Sequence, residues 1–522
     1  MNLRRRFSRS HSFLWLALAG LGLVGAALIC WAATGPYGIG VSPDSVEYIG
    51  TARNLVQGRG LRGYRGGPLE HHAPLYPAAL ALLSLATGQD ALVAARALNA
   101  LLYGLFVVAA GWLAWRALGF SPLLTLGAAV GALAAWPVYA IAIMAWSEPL
   151  FTAFGLAALA LAYRYRDKGD LATSIALAGA TLLACLTRYA GLVLLGFGVL
   201  VTARYTPGGW RAKLTRCVLY GLIAGAPVAL WLLRGLARTG VLWESSGIGK
   251  AWTAAHTLIL LSRPLEAIGS WYGLPALSRP LLLLATLALV AAGLFLTLRW
   301  RGAGWGRAGL LALFVAVYVG GLLVMQFMVN IIGSGGRFYA PIYIPILLLT
   351  LQGGRWLYAW DGWGRLRQVA RAILIIAGLA WLGFMGWTLA GKIGSTLAEG
   401  MPGYMNKRWR ESPTLQYIQA AGLEKRCEVY TNHVAGLYIL TPDLNAGPAR
   451  AVLKRLNQMQ RAACRNRPVG IGAVCLVSFR AGSNDADTQR LLTDAQTLAT
   501  MSSTVFADGA VYVFTPRRDG CQ

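Results

Sequence analysis

The chain has 522 residues, of which 57% are apolar and only 13% charged, and its mean hydropathy is +0.54. A soluble domain carries about 25% charged residues, so this composition excludes an ordinary soluble globular protein. Lysine and arginine total 47 against 20 acidic residues, a formal net charge of +27. In so apolar a chain we attribute this charge to cytoplasmic loops and contacts with membrane lipids, and we expect no nucleic-acid partner.

Apolar runs long enough to cross a bilayer recur along the chain, and they predict about eleven membrane-spanning helices. The first run follows a basic N-terminus and is too long for a signal-peptide core, so we interpret it as an uncleaved span. A shorter apolar run, at residues 76–86, predicts a helix on the membrane surface. The predicted spans are residues 11–33, 93–115, 122–144, 149–163, 171–186, 191–203, 218–236, 280–298, 308–328, 339–351 and 372–390.

Alternate loops between these spans are rich in lysine and arginine, which marks them as cytoplasmic. The N-terminus is then cytoplasmic, and an odd number of spans leaves the C-terminus outside. We therefore predict a multi-pass protein of the bacterial inner membrane. Residues 1–392 would form its transmembrane domain and residues 393–522 an extracytoplasmic, periplasmic domain.

The C-terminal residues predict a small α/β domain. Residues 413–421, 449–465 and 487–499 have helical patterns, whereas 427–431, 472–479 and 504–515 have strand patterns. This alternation predicts a largely parallel sheet. Disulfides persist in an exported domain, and four cysteines leave three pairings open. These cysteines are Cys427, Cys464, Cys475 and Cys521.

Ionisable residues beside apolar runs are informative in a membrane protein because burying charge there is costly. Seven ionisable residues do not belong to ordinary connecting loops, and all seven fall on the predicted external face. They are Asp44, Glu47, His71, His72, Glu148, Arg188 and Arg337. Such convergence on one face predicts a functional site.

The first acidic pair lies at the start of a predicted helix, where Ser42 is the N-cap and Pro43 the first helical residue. Asp44, Glu47 and Tyr48 share one face of that helix. A carboxylate held there could take a proton from an acceptor hydroxyl or amine. The alternative is that Asp44 only complements the helix dipole.

The same loop closes with His71 and His72, close to prolines. These histidines could contact a phosphate or be interfacial residues. A divalent metal held by Asp44, His71 and His72 is a further possibility, since these side chains are metal ligands. No other cofactor is indicated.

Arg188 and Arg337 each lie beside a tyrosine at a predicted membrane boundary. Guanidinium groups bind phosphate oxygens in pairs and keep their charge at any working pH. Singly, each arginine fits an interfacial anchor. Together with Glu148 on the same face, they favour an anionic ligand, and Tyr48, His71 and Tyr339 would line its groove.

The order of these motifs resembles the GT-C glycosyltransferases, in the branch of protein O-mannosyltransferases and the lipid A aminoarabinose transferase. The resemblance covers most of residues 4–351. It rests on the acidic pair after the first span, Pro74-Leu75-Tyr76-Pro77, Ser147-Glu148-Pro149, Thr187-Arg188-Tyr189 and Arg337-Phe338-Tyr339.

The resemblance implies an inverting transfer, at the outer face, of a sugar carried on a polyprenyl phosphate. The acceptor would be a lipid, a glycan or a protein. Asp44 matches the family residue that activates the acceptor, and Arg337 the one that contacts donor phosphate. Glu47 and Glu148 would join the catalytic residues, and Arg188 and His72 the phosphate-binding ones. At residues 72 and 73, histidine and alanine replace the lysine and first proline of the aminoarabinose enzyme.

Two alternatives remain for the function. A transporter or flippase of lipid-linked saccharides would show internal repeats and charges near the bilayer midplane. A glycan ligase would use a lipid-diphosphate donor. No repeat is visible and the candidate charges lie at one surface, so the sequence favours the transferase.

Overall fold

The computed structural model describes residues 2–70, 72–240, 254–272, 305–329, 336–464, 472–479 and 485–517. Contacts divide the chain into two compact units. The first contains residues 1–34 and 51–395, and the second contains residues 35–50 and 396–522. The second unit therefore takes in a stretch of the first loop as well as the predicted C-terminal domain.

The first unit is helical. A long apolar segment in a membrane has no water to bind its backbone N–H and C=O groups, and a helix pairs these groups within the segment. Its helices are α1 Asn2–Thr34, α2 Pro43–Val56 (which starts in the second unit), α3 Leu75–Thr87, α4 Ala91–Trp112, α5 Pro122–Leu133, α6 Trp136–Ala142, α7 Glu148–Lys168, α8 Leu171–Thr187, α9 Leu192–Tyr205, α10 Trp210–Thr239, α11 Ala254–Trp271, α12 Trp305–Val329, α13 Tyr343–Ala359 and α14 Arg367–Glu399.

Each predicted span within the described ranges coincides with a helix or a pair of helices, and the chain is a multi-pass membrane protein. In those ranges, five helices are long and apolar enough to cross a membrane, or six with the bent pair α5 and α6. That pair meets at 49° in the third predicted span. The span at 280–298 lies outside the described residues, and the total of eleven is not confirmed. The helix predicted at residues 76–86 is present as α3, and its place on the membrane surface stays a prediction.

Helices α1 and α4 pack closely through small residues. A methyl group added at Gly104 would lie 2.5 Å from the carbonyl oxygen of Gly22, so only glycine fits this approach. Leu14 and Leu18 of α1 pack beside Val107 of α4 and Ala129 of α5.

The second unit contains a five-stranded sheet with helices on both faces. Its elements are α15 Lys407–Arg410, α16 Pro413–Ala421, β1 Glu428–Thr431, α17 Val434–Leu440, β2 Gly447–Pro448, α18 Val452–Cys464, β3 Val474–Phe479, α19 Asp485–Leu498, β4 Ala499–Val505 and β5 Gly509–Pro516. The strand order is β2-β1-β3-β5-β4. One core packs α16 and α17 against the sheet, and another packs α18 and α19.

The predicted sheet is partly wrong. Strand β1 is parallel to β2 and β3, but β5 is antiparallel to both β3 and β4, so the sheet is mixed. The predicted strand at 504–515 spans the end of β4, a tight turn and most of β5. Of the three cysteine pairings left open, the structure has Cys427 bonded to Cys475, with Cα atoms 5.6 Å apart. Cys521 and the side chain of Cys464 lie outside the described residues.

Candidate active site

Glu148 is a buried carboxylate at the start of α7. Proline in the first turn favours a helix start, and an acidic side chain there complements the helix dipole. The side chain is only 1% exposed. A buried carboxylate needs compensating charge, because desolvation is costly.

Arg188 supplies part of that charge from the end of α8. Its extended backbone (φ −153°, ψ 141°) ends the helix and precedes a short 3-10 turn. Its Nη1 lies 2.8 Å from Oε2 of Glu148 and donates a hydrogen bond of 3.0 Å to Oγ of Ser147. One guanidinium thus engages two consecutive residues at the start of α7.

Arg337 approaches the other carboxylate oxygen from a 3-10 turn, Gly336–Phe338. Its Nε lies 3.6 Å from Oε1 of Glu148, an ion-pair distance too long for a good hydrogen bond. Its guanidinium lies 4.7 Å from the ring centre of Trp146. The hydroxyl of Tyr318 donates to the carbonyl of Phe338 at 2.9 Å and thereby holds the turn.

Phe338 contacts both arginines. The guanidinium carbons of Arg188 and Arg337 lie 5.1 Å and 5.2 Å from its ring centre. These distances lie within the favourable range for cation–π contacts, so the ring helps to hold both groups. The arginine side chains remain 13% and 27% exposed, so a ligand can reach them.

This group consists of two guanidinium groups that share one carboxylate, and each guanidinium has five N–H donors. Such a group suits a phosphate, whose oxygens accept hydrogen bonds from paired N–H groups. The structure therefore brings together Glu148, Arg188 and Arg337, which the sequence had grouped on one face.

Tyr339 lies next to this group but is 1% exposed. Its hydroxyl donates to Oε1 of the buried Gln326 at 3.4 Å. The side chain belongs to the supporting packing here, and its predicted place in a substrate groove stays a prediction.

The residues predicted to act on the acceptor lie in the second unit. Ser42 caps α2, since its carbonyl accepts from Val46 N at 3.0 Å and its Oγ lies 3.4 Å from Ser45 N. Asp44 and Glu47 are partly exposed on this helix, whereas Tyr48 is 4% exposed. This confirms the shared helix, and the catalytic roles remain predictions.

The segment before α2 pairs with the C-terminal part of the same unit. Tyr404 N donates to the carbonyl of Val41 at 2.8 Å. A domain boundary at residue 392, as predicted, would place the two partners of this hydrogen bond in different domains, although both belong to the second unit.

His72 is partly exposed, and His71 lies outside the described residues. Within the part of the chain that the structure describes, no three His, Cys, Asp or Glu side chains are grouped to hold a metal ion. Because His71 belongs to the proposed metal set, that set stays a prediction.

Sequence reasoning missed Arg234, which lies inside α10. Its guanidinium lies 4.5 Å from the ring centre of Trp231, and its Nη1 donates to the carbonyl of Leu69 at 3.2 Å. Trp231 Nε1 in turn donates to the hydroxyl of Tyr189 at 3.0 Å, next to Arg188. An arginine within the predicted span 218–236 is itself a signal of function.

No protein-family model matches the chain, and no curated protein sequence matches it significantly. Solved structures do. ArnT from Cupriavidus metallidurans in the apo state is 13% identical, with a TM-score of 0.55 over 94% of this chain and 97% of that one. The chain has the GT-C fold.

Two further structures agree with the GT-C fold. ArnT from the same organism bound to undecaprenyl phosphate is 14% identical, with a TM-score of 0.53 over 94% of this chain and 97% of that one. The mycobacterial arabinofuranosyltransferase AftD is 16% identical with a TM-score of 0.51, and the match covers 97% of this chain and 40% of AftD. The GT-C resemblance predicted from the motifs is thus confirmed at the level of the fold.

Proposed function

We propose that this protein is a membrane glycosyltransferase that moves a sugar from a polyprenyl-phosphate donor to a lipid, glycan or protein acceptor. The observation that carries the proposal is the pairing of Arg188 and Arg337 with the buried Glu148, which places two guanidinium groups side by side at one site. The similar fold of ArnT, one structure of which is bound to undecaprenyl phosphate, supports a lipid-phosphate donor.

The reaction breaks the bond between the anomeric carbon of the sugar and a phosphate oxygen. The leaving polyprenyl phosphate gains negative charge as this bond breaks, and Arg337 and Arg188 would stabilise it in the transition state. His72 would add a further contact to the phosphate. The sugar carbon is attacked from the opposite side, so the transfer inverts its configuration.

Asp44 would be the general base. It accepts the proton of the acceptor hydroxyl or amine as the new bond to the anomeric carbon forms. This role rests on the family resemblance and on the position of Asp44 in the first turn of α2. Glu47, one turn further on, would assist at the same helix face.

Glu148 acts through the arginines in this proposal. Because its two oxygens lie against two guanidinium groups, we assign it to positioning them for the donor phosphate. The transfer would take place on the extracytoplasmic face, where the sequence predicts these residues.

The first test measures lipid-linked sugars in cells by mass spectrometry. Cells lacking the protein should accumulate a polyprenyl-phosphate sugar, and the wild-type gene should restore its consumption. Asp44→Asn should insert and fold normally but leave the donor unconsumed. Asp167→Asn, at the exposed far end of α7, is the control and should behave as wild type. Full consumption of the donor by Asp44→Asn would refute the proposed base.

The second test measures binding of undecaprenyl phosphate to the purified protein in nanodiscs. Arg337→Ala should weaken binding at least about tenfold, since a hydrogen bond to a charged group contributes about 1.5–3 kcal/mol. Arg365→Ala, an exposed arginine elsewhere, should bind as wild type. Equal affinities in all three proteins would contradict a phosphate site at Arg337. Movement of the sugar donor between leaflets without release of polyprenyl phosphate would indicate a transporter.

A further inference from the structure

A cavity lies in the α/β domain, at the carboxyl ends of parallel strands β1 and β3. Its volume is about 260 Å³, and it lies on the sheet face against which α18 and α19 pack. Open α/β sheets bind ligands outside the carboxyl ends of their strands. The polar side chains around it are Asn432, Arg450, Ser478, Asp487 and Thr488.

Ser478 contributes a hydroxyl to the lining of this cavity, and the residue is 8% exposed. A serine hydroxyl can donate one hydrogen bond and accept others. A bound molecule with a hydroxyl group would therefore find both a donor and an acceptor in this side chain.

The floor of the cavity is fixed before any ligand binds. Asn432, directly after β1, donates to the carbonyl of Phe479 at 2.7 Å and accepts from its N–H at 3.0 Å. This pair of hydrogen bonds ties the end of β1 to the end of β3. Ser478 is therefore held in place by the sheet, and binding costs little ordering of the backbone.

The remaining groups determine the class of ligand. Among the described lining residues, one arginine and one aspartate oppose each other in charge, so these residues are neutral overall and do not favour a strong anion. Arg450 donates, Asp487 accepts, and the hydroxyls of Ser478 and Thr488 do both. Leu476 and Leu491 supply apolar surface. Neutral sugars combine hydroxyl groups with apolar C–H faces.

We propose that this cavity binds one neutral monosaccharide unit of a glycan, without catalysing a reaction. Its volume lies just below the range of about 300–1,000 Å³ that is typical of drug-sized ligands, which suits one sugar ring. The choice of a saccharide among neutral polyols rests on the proposed function, in which this protein handles glycans. The binding residues are Ser478, Arg450, Asp487 and Thr488.

The test uses the full chain in nanodiscs and saturation-transfer NMR with methyl glycosides of hexoses and pentoses. At least one glycoside should bind wild-type protein. Ser478→Ala and Thr488→Val should each weaken binding about three- to tenfold, through loss of one hydrogen bond. Arg450→Ala, at an exposed position, should do the same. Ser503→Ala, an exposed serine of the same sheet, is the matched control and should bind normally.

Two results would overturn this inference. One is that no glycoside binds, or that the glycosides bind equally well to the wild type and to the Ser478, Thr488 and Arg450 variants. The other is binding of inorganic phosphate, lost in Arg450→Ala, in place of the glycosides, which would make the cavity an anion site. The Arg337→Ala variant separates this inference from the proposed function. If glycosides still bind to Arg337→Ala, binding takes place at the cavity and not at the arginine site. If the wild-type protein in addition transfers no sugar, the cavity would be supported and the transferase refuted.

Discussion

The guanidinium of Arg188 lies 2.8 Å from the carboxylate of Glu148, and both side chains are largely buried. The pair joins the end of α8 to the start of α7, and Arg337 adds a second positive group from a separate turn. Removing one partner of such a pair is costly because it leaves an uncompensated charge in a region of low dielectric constant.

Glu148→Gln should therefore destabilise the protein and impair transfer. The cost should be about 2–3 kcal/mol, below the 3–5 kcal/mol of fully buried pairs, because the two arginines retain some contact with solvent. The measurement is thermal unfolding in detergent. Undecaprenyl phosphate should restore more stability to the variant than it adds to the wild type, since its phosphate would replace the negative charge that the Glu148 carboxylate supplied. Asp167→Asn serves as the control, and an unchanged melting temperature in Glu148→Gln would contradict the structural role of the pair.

Arg188→Lys should keep the charge but lose the geometry. A lysine presents a compact point charge, so it cannot pack a planar group against the ring of Phe338 or offer paired N–H donors to a phosphate. We expect a stable protein whose kcat falls about 10- to 100-fold, corresponding to the loss of one charged hydrogen bond. The assay compares kcat and KM for the lipid-linked donor with those of Arg365→Lys. A wild-type kcat in Arg188→Lys would show that charge alone suffices.

Local signals in the sequence predict helices well where caps are present. Helix α16 occupies the predicted residues 413–421, with the Ser412 hydroxyl accepting from Leu415 N at 3.0 Å and Gly422 at the other end. The sheet was predicted less well. The turn between β4 and β5 ends at Asp508-Gly509, a turn signal that the strand prediction overlooked. Antiparallel pairing of β5 with β3 depends on contacts between segments far apart in sequence.

In the candidate site, too, the sequence predicts the residues but not their contacts. An ionisable residue beside an apolar run is visible in the sequence, and this was enough to select Glu148, Arg188 and Arg337. Their partners are set by packing across helices. The bond of Arg188 to Ser147 and the shared Phe338 ring follow from how α7, α8 and a 3-10 turn meet. No sequence pattern predicts that arrangement.

The disulfide between Cys427 and Cys475 should stabilise the α/β domain. It closes a loop with a sequence separation of 48 residues, and restricting the unfolded chain in this way contributes about 2–4 kcal/mol. The double variant Cys427→Ala/Cys475→Ala should make the domain susceptible to limited proteolysis while the membrane helices stay protected. Cys217→Ala, a free cysteine, is the control.

Thiol labelling in intact cells tests where this domain lies. The two cysteines should be oxidised and resist maleimide until reductant is added, because disulfides persist outside the cytoplasm. Free thiols at both positions in untreated cells would contradict the predicted external location.

Asp508 should make the α/β domain sensitive to acid. Partial burial favours its neutral form, but hydrogen bonds from Ser412 and from the side chain and backbone of Thr414 outweigh that effect and hold the pKa of Asp508 below its ordinary value. Because the folded pKa lies below the unfolded pKa of about 3.9, this stabilisation is present at higher pH and is lost as the pH falls through the folded pKa.

Asp508→Asn should lower the stability of the domain by about 1 kcal/mol at neutral pH, and the difference from wild type should vanish in strong acid. Hydrogen exchange of α16 amides, corrected for intrinsic rates, measures this, with Asp494→Asn as an exposed control. A difference that stays constant down to the lowest pH would show that the ionised carboxylate is not what holds the β4–β5 turn to α16.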